Sequence, residues 1–286
     1  MRLLTDQTIG AALRCPICHA AMKTAESPSL VCLGARTHCF DFGASGYVNL
    51  SRPGQSGGGD SKQAVRARSQ FLSLEHYRPV ADGICELLAK HVPDENALVL
   101  DAGCGEGYYS THIASAGYAT VGVDLSKYAV DAAAKRAVAA GRKNAFYAVA
   151  SVYELPVADG SVSALTNVFA PCAEEEYARV LCDGGILLVA HAGEEHLMGL
   201  KSVLYEEAHR NSARADLPQR MTQIDQMRVK YRITVEGNDA IANLFTMTPY
   251  YWRTSPEDAA KLAGLDRLET EVDVLLTVYQ KRGACK

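Results

Sequence analysis

Short apolar runs alternate with helix-periodic stretches through the middle of the chain. An apolar run bounded by turn residues is typical of a buried strand, whereas apolar positions three or four apart indicate a helix. We predict strands at 97–101, 119–123, 145–149, 162–168 and 184–191. Helices are predicted at 107–116, 126–140, 173–181 and 195–209. This alternation predicts an α/β fold with a mostly parallel sheet.

The flanking segments extend this pattern. Upstream, helices are predicted at 62–73 and from Pro79 to about His91, after a stretch from Ser51 to Ser61 that has no apolar residue and is expected to be a loop or linker. Downstream, the pattern predicts helices near 237–246 and 256–263, and two final antiparallel strands around 229–235 and 269–281. Seven strands are therefore expected. The chain shows neither a membrane-length apolar run nor a signal-peptide pattern, so we expect a cytoplasmic protein that does not bind membranes.

Acidic and glycine residues cluster where the first two strands end. Asp101 closes one apolar run, Gly103, Gly105 and Gly107 follow it, and Asp124 closes the next run. Dinucleotide sites place G-x-G-x-x-G at such a turn, but a carboxylate before the turn would repel pyrophosphate. It suits a ligand with an ammonium and a sulfonium, and the second carboxylate suits two ribose hydroxyls. The pattern resembles motif I of class I methyltransferases, which bind S-adenosylmethionine (SAM); a plain tight turn is the alternative.

Cysteines near the N-terminus have the spacing of a structural metal site. Cys15 and Cys18 form a C-x2-C pair, Cys32 follows, and either His38 or Cys39 supplies the fourth ligand. Two such pairs are typical of tetrahedral Zn²⁺. A redox dithiol would need a preceding thioredoxin-like strand and no second pair. Scattered core cysteines are the remaining alternative.

Charge is distributed unevenly along the chain. Residues 1–79 carry nine Lys and Arg against five Asp and Glu, whereas residues 80–286 carry 20 against 28. A basic front end on an acidic body suggests contact with nucleic-acid phosphate. The candidate phosphate contacts, which could equally be an ordinary solvated helix face, are Arg52, Lys62, Arg66 and Arg68.

Several unusual strings occur together with these features. C-P-I-C-H at 15–19, H-C-F-D at 38–41, A-P-C at 170–172, H-L-M-G-L-K at 196–201 and M-T-P-Y-Y-W-R at 247–253 accompany the glycine motif. Together they resemble the bacterial 23S ribosomal RNA (guanine-N1)-methyltransferase family of the RlmA type. The resemblance implies a Rossmann-like class I methyltransferase with a mostly parallel seven-stranded sheet and an N-terminal zinc-binding module. The implied organisation is an RNA-recognition module at 1–50, a linker and basic helix at 51–78, and the methyltransferase domain at 79–286.

The resemblance also implies roles for particular residues. His38 would be the fourth zinc ligand. Tyr77, Tyr109 and His196 would line the cofactor site, although Tyr77 could be plain packing and His196 a surface residue. Ser151 occupies the position that faces adenine in this fold, where the family often has Asp. The implied reaction is methyl transfer from SAM to N1 of a guanine in a hairpin loop of 23S rRNA, by a homodimer.

The chemistry points to the segment after the fourth predicted strand. Guanine N1 carries a proton at neutral pH and must lose it, so a base or a group that stabilises O6 is expected nearby. Asn167 and the Ala170 carbonyl could orient the base, and Pro171 would stiffen the loop. Cys172 is expected to be a small core residue. The base itself is not identified; His191 and His196 are hypotheses.

An extruded guanine needs an aromatic partner. The candidates, of which Trp252 could instead be a core anchor, are Tyr47, Tyr250, Tyr251 and Trp252. Two other functions fit part of the pattern. One is a SAM-dependent methyltransferase for a small molecule, which would need neither zinc module nor basic helix. The other is a catalytically silent zinc-finger RNA-binding protein, against which the intact glycine motif argues.

Overall fold

The computed structural model describes residues 6–52, 54, 59–94, 96–212 and 218–282. The first residues of the predicted 1–50 module and most of the centre of the predicted linker lie outside these ranges. Near the N-terminus, Asp6 caps the first helix by accepting from the backbone N–H of Thr8 and Ile9. The elements of this region are α1 (Gln7–Ala12), β1 (Met22–Thr24), β2 (Ser29–Cys32), β3 (Cys39–Asp41) and β4 (Val48–Asn49).

Strands β1 to β3 form a small antiparallel sheet, whereas β4 joins the main sheet by pairing in parallel with β7. The other strands of the main sheet are β5 (Leu98–Ala102), β6 (Ala119–Asp124), β7 (Ala145–Val149), β8 (Val162–Val168), β9 (Leu181–Ala192), β10 (Thr222–Glu236) and β11 (Arg267–Gln280). Within the described residues their order is β10-β11-β9-β8-β5-β6-β7-β4. All seven predicted strands form, and β4 adds an eighth.

Strand order reverses between β5 and β8, and this reversal positions the site. Strand β5 pairs with β6 on one side and with β8 on the other, both in parallel. Ligands of open α/β sheets bind at such a switch point, outside the carboxyl ends of the strands. Strand β11 runs antiparallel to both β9 and β10, as the sequence predicted for the last two strands.

Helices cover the sheet. They are α2 (Lys62–Leu72), α3 (Arg78–His91), α4 (Tyr108–Ser115), α5 (Lys127–Ala139), α6 (Glu174–Val180), α7 (Met198–Leu204), α8 (Asn238–Thr246) and α9 (Pro256–Ala260), with 3₁₀ turns at Pro249–Trp252 and Lys261–Gly264. The helix predicted at 195–209 is wrong at both ends. Leu197 has a φ of 58°, so α7 starts after it. The chain then turns back after Leu204, where the buried Lys201 ammonium donates to the His209 carbonyl and to Asn211.

The hydrophobic core lies on both faces of the main sheet. Val99 of β5 packs with α3, α4 and α8 on one face, whereas Leu98 and Leu100 pack on the other. Ile9 and Leu13 share that second layer, so the core crosses the predicted boundary at residue 50. Among the described residues, no helix combines the length and the apolar character needed to cross a bilayer.

Candidate zinc centre and cofactor crevice

Four potential metal ligands meet beside the small N-terminal sheet. The ligand atoms of Cys15, Cys18, Cys32 and His38 all lie within 4.8 Å of one another. His38 Nδ1 is 3.6 Å from Cys15 Sγ and 3.4 Å from Cys32 Sγ, and Cys18 Sγ is 3.6 Å from Cys32 Sγ. Thiolates about 2.3 Å from a tetrahedral Zn²⁺ lie about 3.8 Å apart, and a nitrogen ligand lies slightly closer. The observed separations therefore fit a zinc ion.

Backbone groups support these sulfur atoms. Ile17 N–H donates to Cys15 Sγ at 3.4 Å, and His38 N–H donates to Cys32 Sγ at 3.1 Å. The second bond lowers the pKa of Cys32 to about 6, which favours the thiolate that a metal needs. A Cβ on Gly34 would lie only 2.9 Å from Cys18 Sγ, so the turn needs a residue without a side chain.

The structure brings His38, and not Cys39, into the cluster. Cys39 is exposed, and its sulfur lies 4.0 Å from Asp41 Oδ1. The turn that carries Cys15 and Cys18 is called the zinc knuckle below. His19, which follows it directly, is 3.1 Å from Arg52 Nη2. The four clustered side chains are therefore those that would hold Zn²⁺, which would supply structural stability rather than chemistry.

The glycine turn follows β5 and shapes the cofactor crevice. Gly103, Gly105 and Gly107 have φ values of 83°, 54° and 80°, which L side chains rarely adopt. A Cβ on Gly103 would lie 2.5 Å from Ala170 Cβ, and one on Gly107 would lie 2.7 Å from Ala133 Cβ. The loop after β8 and helix α5 thus pack directly against the turn, and the backbone of the turn forms the floor of a crevice.

Asp101 is a buried carboxylate at the end of β5. Thr166 Oγ1 donates to its Oδ1 at 2.9 Å, whereas Oδ2 has no hydrogen-bond partner among the described residues. Burial raises the pKa of Asp101 to about 6, because removal from water disfavours the charged form. An unpartnered buried carboxylate oxygen fits a ligand that brings its own cation, as the ammonium end of SAM does.

Asp124 ends β6 and is fixed by backbone groups. Its Oδ2 accepts from Gly105 N–H at 3.1 Å and its Oδ1 accepts from Ser126 N–H at 2.8 Å. Burial raises its pKa. Ser151 comes just after β7, the next strand in the sheet, and its hydroxyl accepts from Tyr153 N–H at 3.2 Å. Both predicted nucleoside contacts thus follow neighbouring strands at the same sheet edge.

Tyr77 and His196 form a buried pair. His196 Nδ1 accepts from Asp273 N–H at 3.2 Å, so Nε2 carries the proton that it donates to Tyr77 Oη, 3.2 Å away. Burial lowers the pKa of His196 to about 4 and raises that of Tyr77. The ring of Phe169 stacks on His196 at 5.7 Å. With both ring nitrogens bonded, His196 has no lone pair with which to act as a base in this arrangement.

The loop after β8 is held by its own residues. Asn167 Nδ2 donates to the Pro171 carbonyl at 2.8 Å and to Tyr177 Oη at 3.0 Å, and Tyr177 Oη donates to the same carbonyl at 3.0 Å. Both amide hydrogens of Asn167 therefore fix the loop. Ala170 sits against Gly103, which places the loop at the crevice. Cys172 packs at the edge of the core.

The four predicted phosphate contacts have different surroundings. Lys62 and Arg66 are exposed on α2. Arg52 donates to the Pro16 carbonyl at 3.0 Å and pairs with Glu154 at 2.5 Å, which joins the zinc knuckle to the methyltransferase body. Arg68 pairs with Asp60. Only the first two therefore have the surroundings expected of phosphate contacts.

The predicted stacking residues also differ. Trp252 is 73% exposed, which excludes a core anchor, and it packs edge to face on Tyr251 at 5.0 Å. Tyr250 donates to Asn211 at 3.2 Å, and Lys201 lies over its ring. Tyr47 is buried beneath Gly43 and offers no free ring face.

Sequence reasoning missed several residues that organise the crevice. Thr166 holds Asp101, and Glu106 is a buried carboxylate paired with Arg136 at 3.2 Å. Asp273, on β11, is fully buried and accepts from both Arg228 and Glu195 N–H. A charged residue inside an apolar strand pattern was the available signal for Asp273. Nothing local marks Thr166, because its role depends on the pairing of β8 with β5.

Comparisons with known proteins agree with this geometry. A family model described as a methyltransferase domain matches residues 99–185, and one described as the RlmA N-terminal zinc ribbon matches residues 13–55. The 23S rRNA (guanine(748)-N(1))-methyltransferase of Streptomyces fradiae is 30% identical over 260 residues, which cover 87% of this chain and 89% of the relative.

Two further relatives are provisionally named 23S rRNA (guanine-N(1)-)-methyltransferases. The one from Micromonospora griseorubida is 31% identical and covers 85% of this chain and 88% of its own. The one from Bacillus subtilis is 29% identical and covers 94% and 96%. The methyltransferase fold and the zinc ribbon identify SAM and Zn²⁺ as the cofactors. The chain belongs to the 23S rRNA (guanine-N1)-methyltransferase family.

Proposed function

We propose that this protein transfers the methyl group of SAM to N1 of a guanine in a hairpin loop of 23S rRNA. One observation carries the proposal: the buried Asp101 carboxylate, with an unpartnered oxygen, lies at the switch point of a chain that also carries an RlmA-type zinc ribbon. When bound, SAM supplies a methyl group that is already electrophilic. The protein must hold this donor and bring N1 in line with it.

The donor would be held at both ends. Asp101 Oδ2 would accept from the ammonium group, and the backbone of Gly103 and Gly105 would lie against the bound molecule. Asp124 would accept from the ribose hydroxyls, since its carboxylate is already oriented by Gly105 and Ser126 N–H. Ser151 would face adenine. Tyr77, Tyr109 and His196 would close the crevice as a rigid aromatic wall, because burial and mutual hydrogen bonds fix the Tyr77–His196 pair.

The substrate base would enter beside the loop that follows β8. Asn167 holds this loop through the Pro171 carbonyl, and the Ala170 carbonyl would meet the guanine edge. Removal of the N1 proton needs an acceptor other than His196, whose ring nitrogens are both bonded. A pH–rate profile of His191→Ala tests the other histidine hypothesis; an unchanged profile would exclude His191 as the base.

RNA would reach the crevice across α2, the exposed Trp252 and the zinc module at residues 1–50. Lys62 and Arg66 project from α2 into solvent, and Trp252 offers a ring face worth about 1–3 kcal/mol per stacked base. Reversing the charges of Lys62 and Arg66 should make the fall of log K for rRNA binding with log salt concentration less steep, by about 1.4–1.8 in slope. Lys143→Glu, in the exposed turn before β7, is the control and should leave the slope unchanged.

The decisive experiment supplies the purified protein with tritiated SAM and one of two substrates. The first is 23S rRNA that lacks the modification, and the second is an extract of small metabolites and lipids. Label in rRNA, mapped by mass spectrometry to N1 of one guanine, is the expected result. Label only in the extract would indicate a small-molecule methyltransferase, and SAM binding without transfer would indicate a silent RNA-binding protein.

The family resemblance also supports a homodimer that works on rRNA in the cytoplasm. Two zinc modules would then face one RNA. Light scattering during size-exclusion chromatography tests the oligomeric state, and a monomer with full activity on rRNA would overturn this part of the proposal.

A further inference from the structure

We propose that Arg68 is a cofactor-site residue that binds the carboxylate of the methionine end of SAM, and is not a contact for RNA phosphate. The inference rests on the proposed use of SAM. It assigns a role to an arginine that charge pattern alone had grouped with its neighbours on α2.

Arg68 points at the glycine turn. Its Nη1 lies 3.5 Å from the position that a Cβ on Gly105 would occupy. Gly105 is the residue whose N–H is bonded to Asp124, so the guanidinium lies above the floor of the crevice. The Arg68 side chain is 26% exposed, whereas Arg66, two residues earlier, is an exposed residue. The two arginines therefore face different surroundings although they share one helix.

The start of α2 is fixed at the rim of the same crevice. Ser126 Oγ donates to the Asp60 carbonyl at 2.7 Å, and Ser61 caps α2 by accepting from Ala64 N–H. A Cβ on Gly59 would lie 2.7 Å from Ser126 N. The loop after β6 and the start of α2 are thus in contact, which holds the Asp60–Arg68 pair beside Asp124.

The charges of the crevice explain why Arg68 is needed. Asp101 and Asp124 suit the ammonium and the ribose, but the amino-acid end of SAM also carries a carboxylate. Arg136 is committed to Glu106, and its guanidinium also donates to Ser69 and lies over the Tyr108 ring. Arg68 is a second cation at the turn, and its ion-pair partner among the described residues is Asp60.

Asp60 keeps Arg68 in place without burying it. The Asp60 side chain is 36% exposed, so water can solvate its carboxylate when a ligand carboxylate shares or replaces the pairing. A guanidinium has several donors in one plane and can bind two carboxylates at once. Burial raises the pKa of Asp124, and the nearby positive charge of Arg68 acts on that pKa in the opposite direction.

Calorimetric titration with two ligands tests the proposal. SAM carries the carboxylate, whereas decarboxylated SAM keeps the sulfonium and the ammonium but lacks it. Arg68→Gln should weaken SAM binding by about 10- to 100-fold, the usual size of a charge-assisted bond, and should leave decarboxylated SAM unchanged. Arg66→Gln is the matched control and should change neither affinity. It should instead weaken rRNA binding, which Arg68→Gln should spare.

Each other outcome has a defined meaning. Equal weakening of both ligands, or no weakening of either, would overturn the role of Arg68. Should Arg68→Gln fail to fold, Arg68→Lys replaces it, because lysine keeps the charge but lacks the planar guanidinium. The proposal then requires that Arg68→Lys weaken the binding of SAM more than that of decarboxylated SAM. A parent protein that binds neither ligand would refute the proposed function itself, independently of Arg68.

Discussion

The zinc centre and the cofactor crevice obtain their functional groups in different ways. Every zinc ligand lies within residues 15–38: Cys15 and Cys18 precede β1, Cys32 ends β2, and His38 immediately precedes β3. The crevice combines Asp60, ahead of α2, with the ends of β5 and β6, the loop after β8, and Asp273 on β11. One site is local in sequence, and the other exists only once the main sheet has formed. Removal of the metal should therefore disturb the zinc centre more directly than the cofactor crevice.

The largest expected effect is the loss of zinc. Cys32→Ser removes a central ligand, and structural zinc contributes an apparent free energy of about 10–16 kcal/mol in finger peptides. We expect zinc content measured by inductively coupled plasma mass spectrometry to fall well below one ion per chain. Amides of β1 to β3 should then exchange rapidly with deuterium, whereas those of β5 to β9 stay protected.

Cys39→Ser is the matched control for this experiment. Cys39 is exposed and lies outside the cluster, so the variant should retain its zinc. Retention of zinc by Cys32→Ser together with its loss from Cys39→Ser would reverse the ligand assignment. Simultaneous exchange throughout the main sheet would show that the two regions unfold as one unit.

This contrast also explains what the sequence could predict. Spacing alone found three zinc ligands and two candidates for the fourth, because ligands of a local site follow one another along the chain. The glycine motif located Asp101 and Asp124 because these two residues of the crevice belong to one strand–turn–helix–strand unit of the chain. Thr166, Asp273 and the inward direction of Arg68 depend on which strands and helices become neighbours, and spacing carries no information about that. Spacing likewise does not reveal that the chain turns back after α7, where Lys201 donates to the His209 carbonyl.

The next effect concerns the cationic end of the cofactor. Asp101→Asn keeps the shape of the side chain but removes the charge, so SAM affinity should fall by about 10- to 100-fold. The pH dependence sharpens this test. Burial raises the pKa of Asp101 to about 6, so the carboxylate is charged above that pH and becomes protonated below it. SAM affinity of the parent should thus fall by about tenfold per pH unit below pH 6.

Asp101→Asn supplies the control for the pH effect, because an amide does not titrate. Its SAM affinity should vary much less than the parent's between pH 5 and about 7. A profile parallel to that of the parent would assign the pH dependence to another group, of which Asp124 is the first to test, since burial raises its pKa as well.

A smaller effect tests how tightly the loop after β8 closes on the glycine turn. Gly103→Ala and Gly141→Ala both place a side chain at positive φ, 83° and 69°, which costs about 1–2 kcal/mol each. Only at Gly103 does the new Cβ meet a neighbour, Ala170 Cβ at 2.5 Å. Urea denaturation should therefore show an additional loss of about 1–3 kcal/mol for Gly103→Ala. Equal losses would show that the loop moves aside freely.

The smallest effect concerns the junction between the two regions. Arg52 pairs with Glu154 of the methyltransferase body while it donates to the Pro16 carbonyl of the zinc knuckle. Both side chains are partly exposed, so a double-mutant cycle should give a coupling of only about 0.2–1 kcal/mol in the stability to urea. The Arg78–Asp82 pair, which lies within α3, is the control and should give a similar value. After zinc removal the two couplings should diverge, because Arg52 loses the Cys15–Cys18 turn that orients its guanidinium, whereas the Arg78–Asp82 pair stays within α3. An Arg52–Glu154 coupling that survives chelation would mean that the body alone positions Arg52, and that the junction belongs to the crevice side of the molecule.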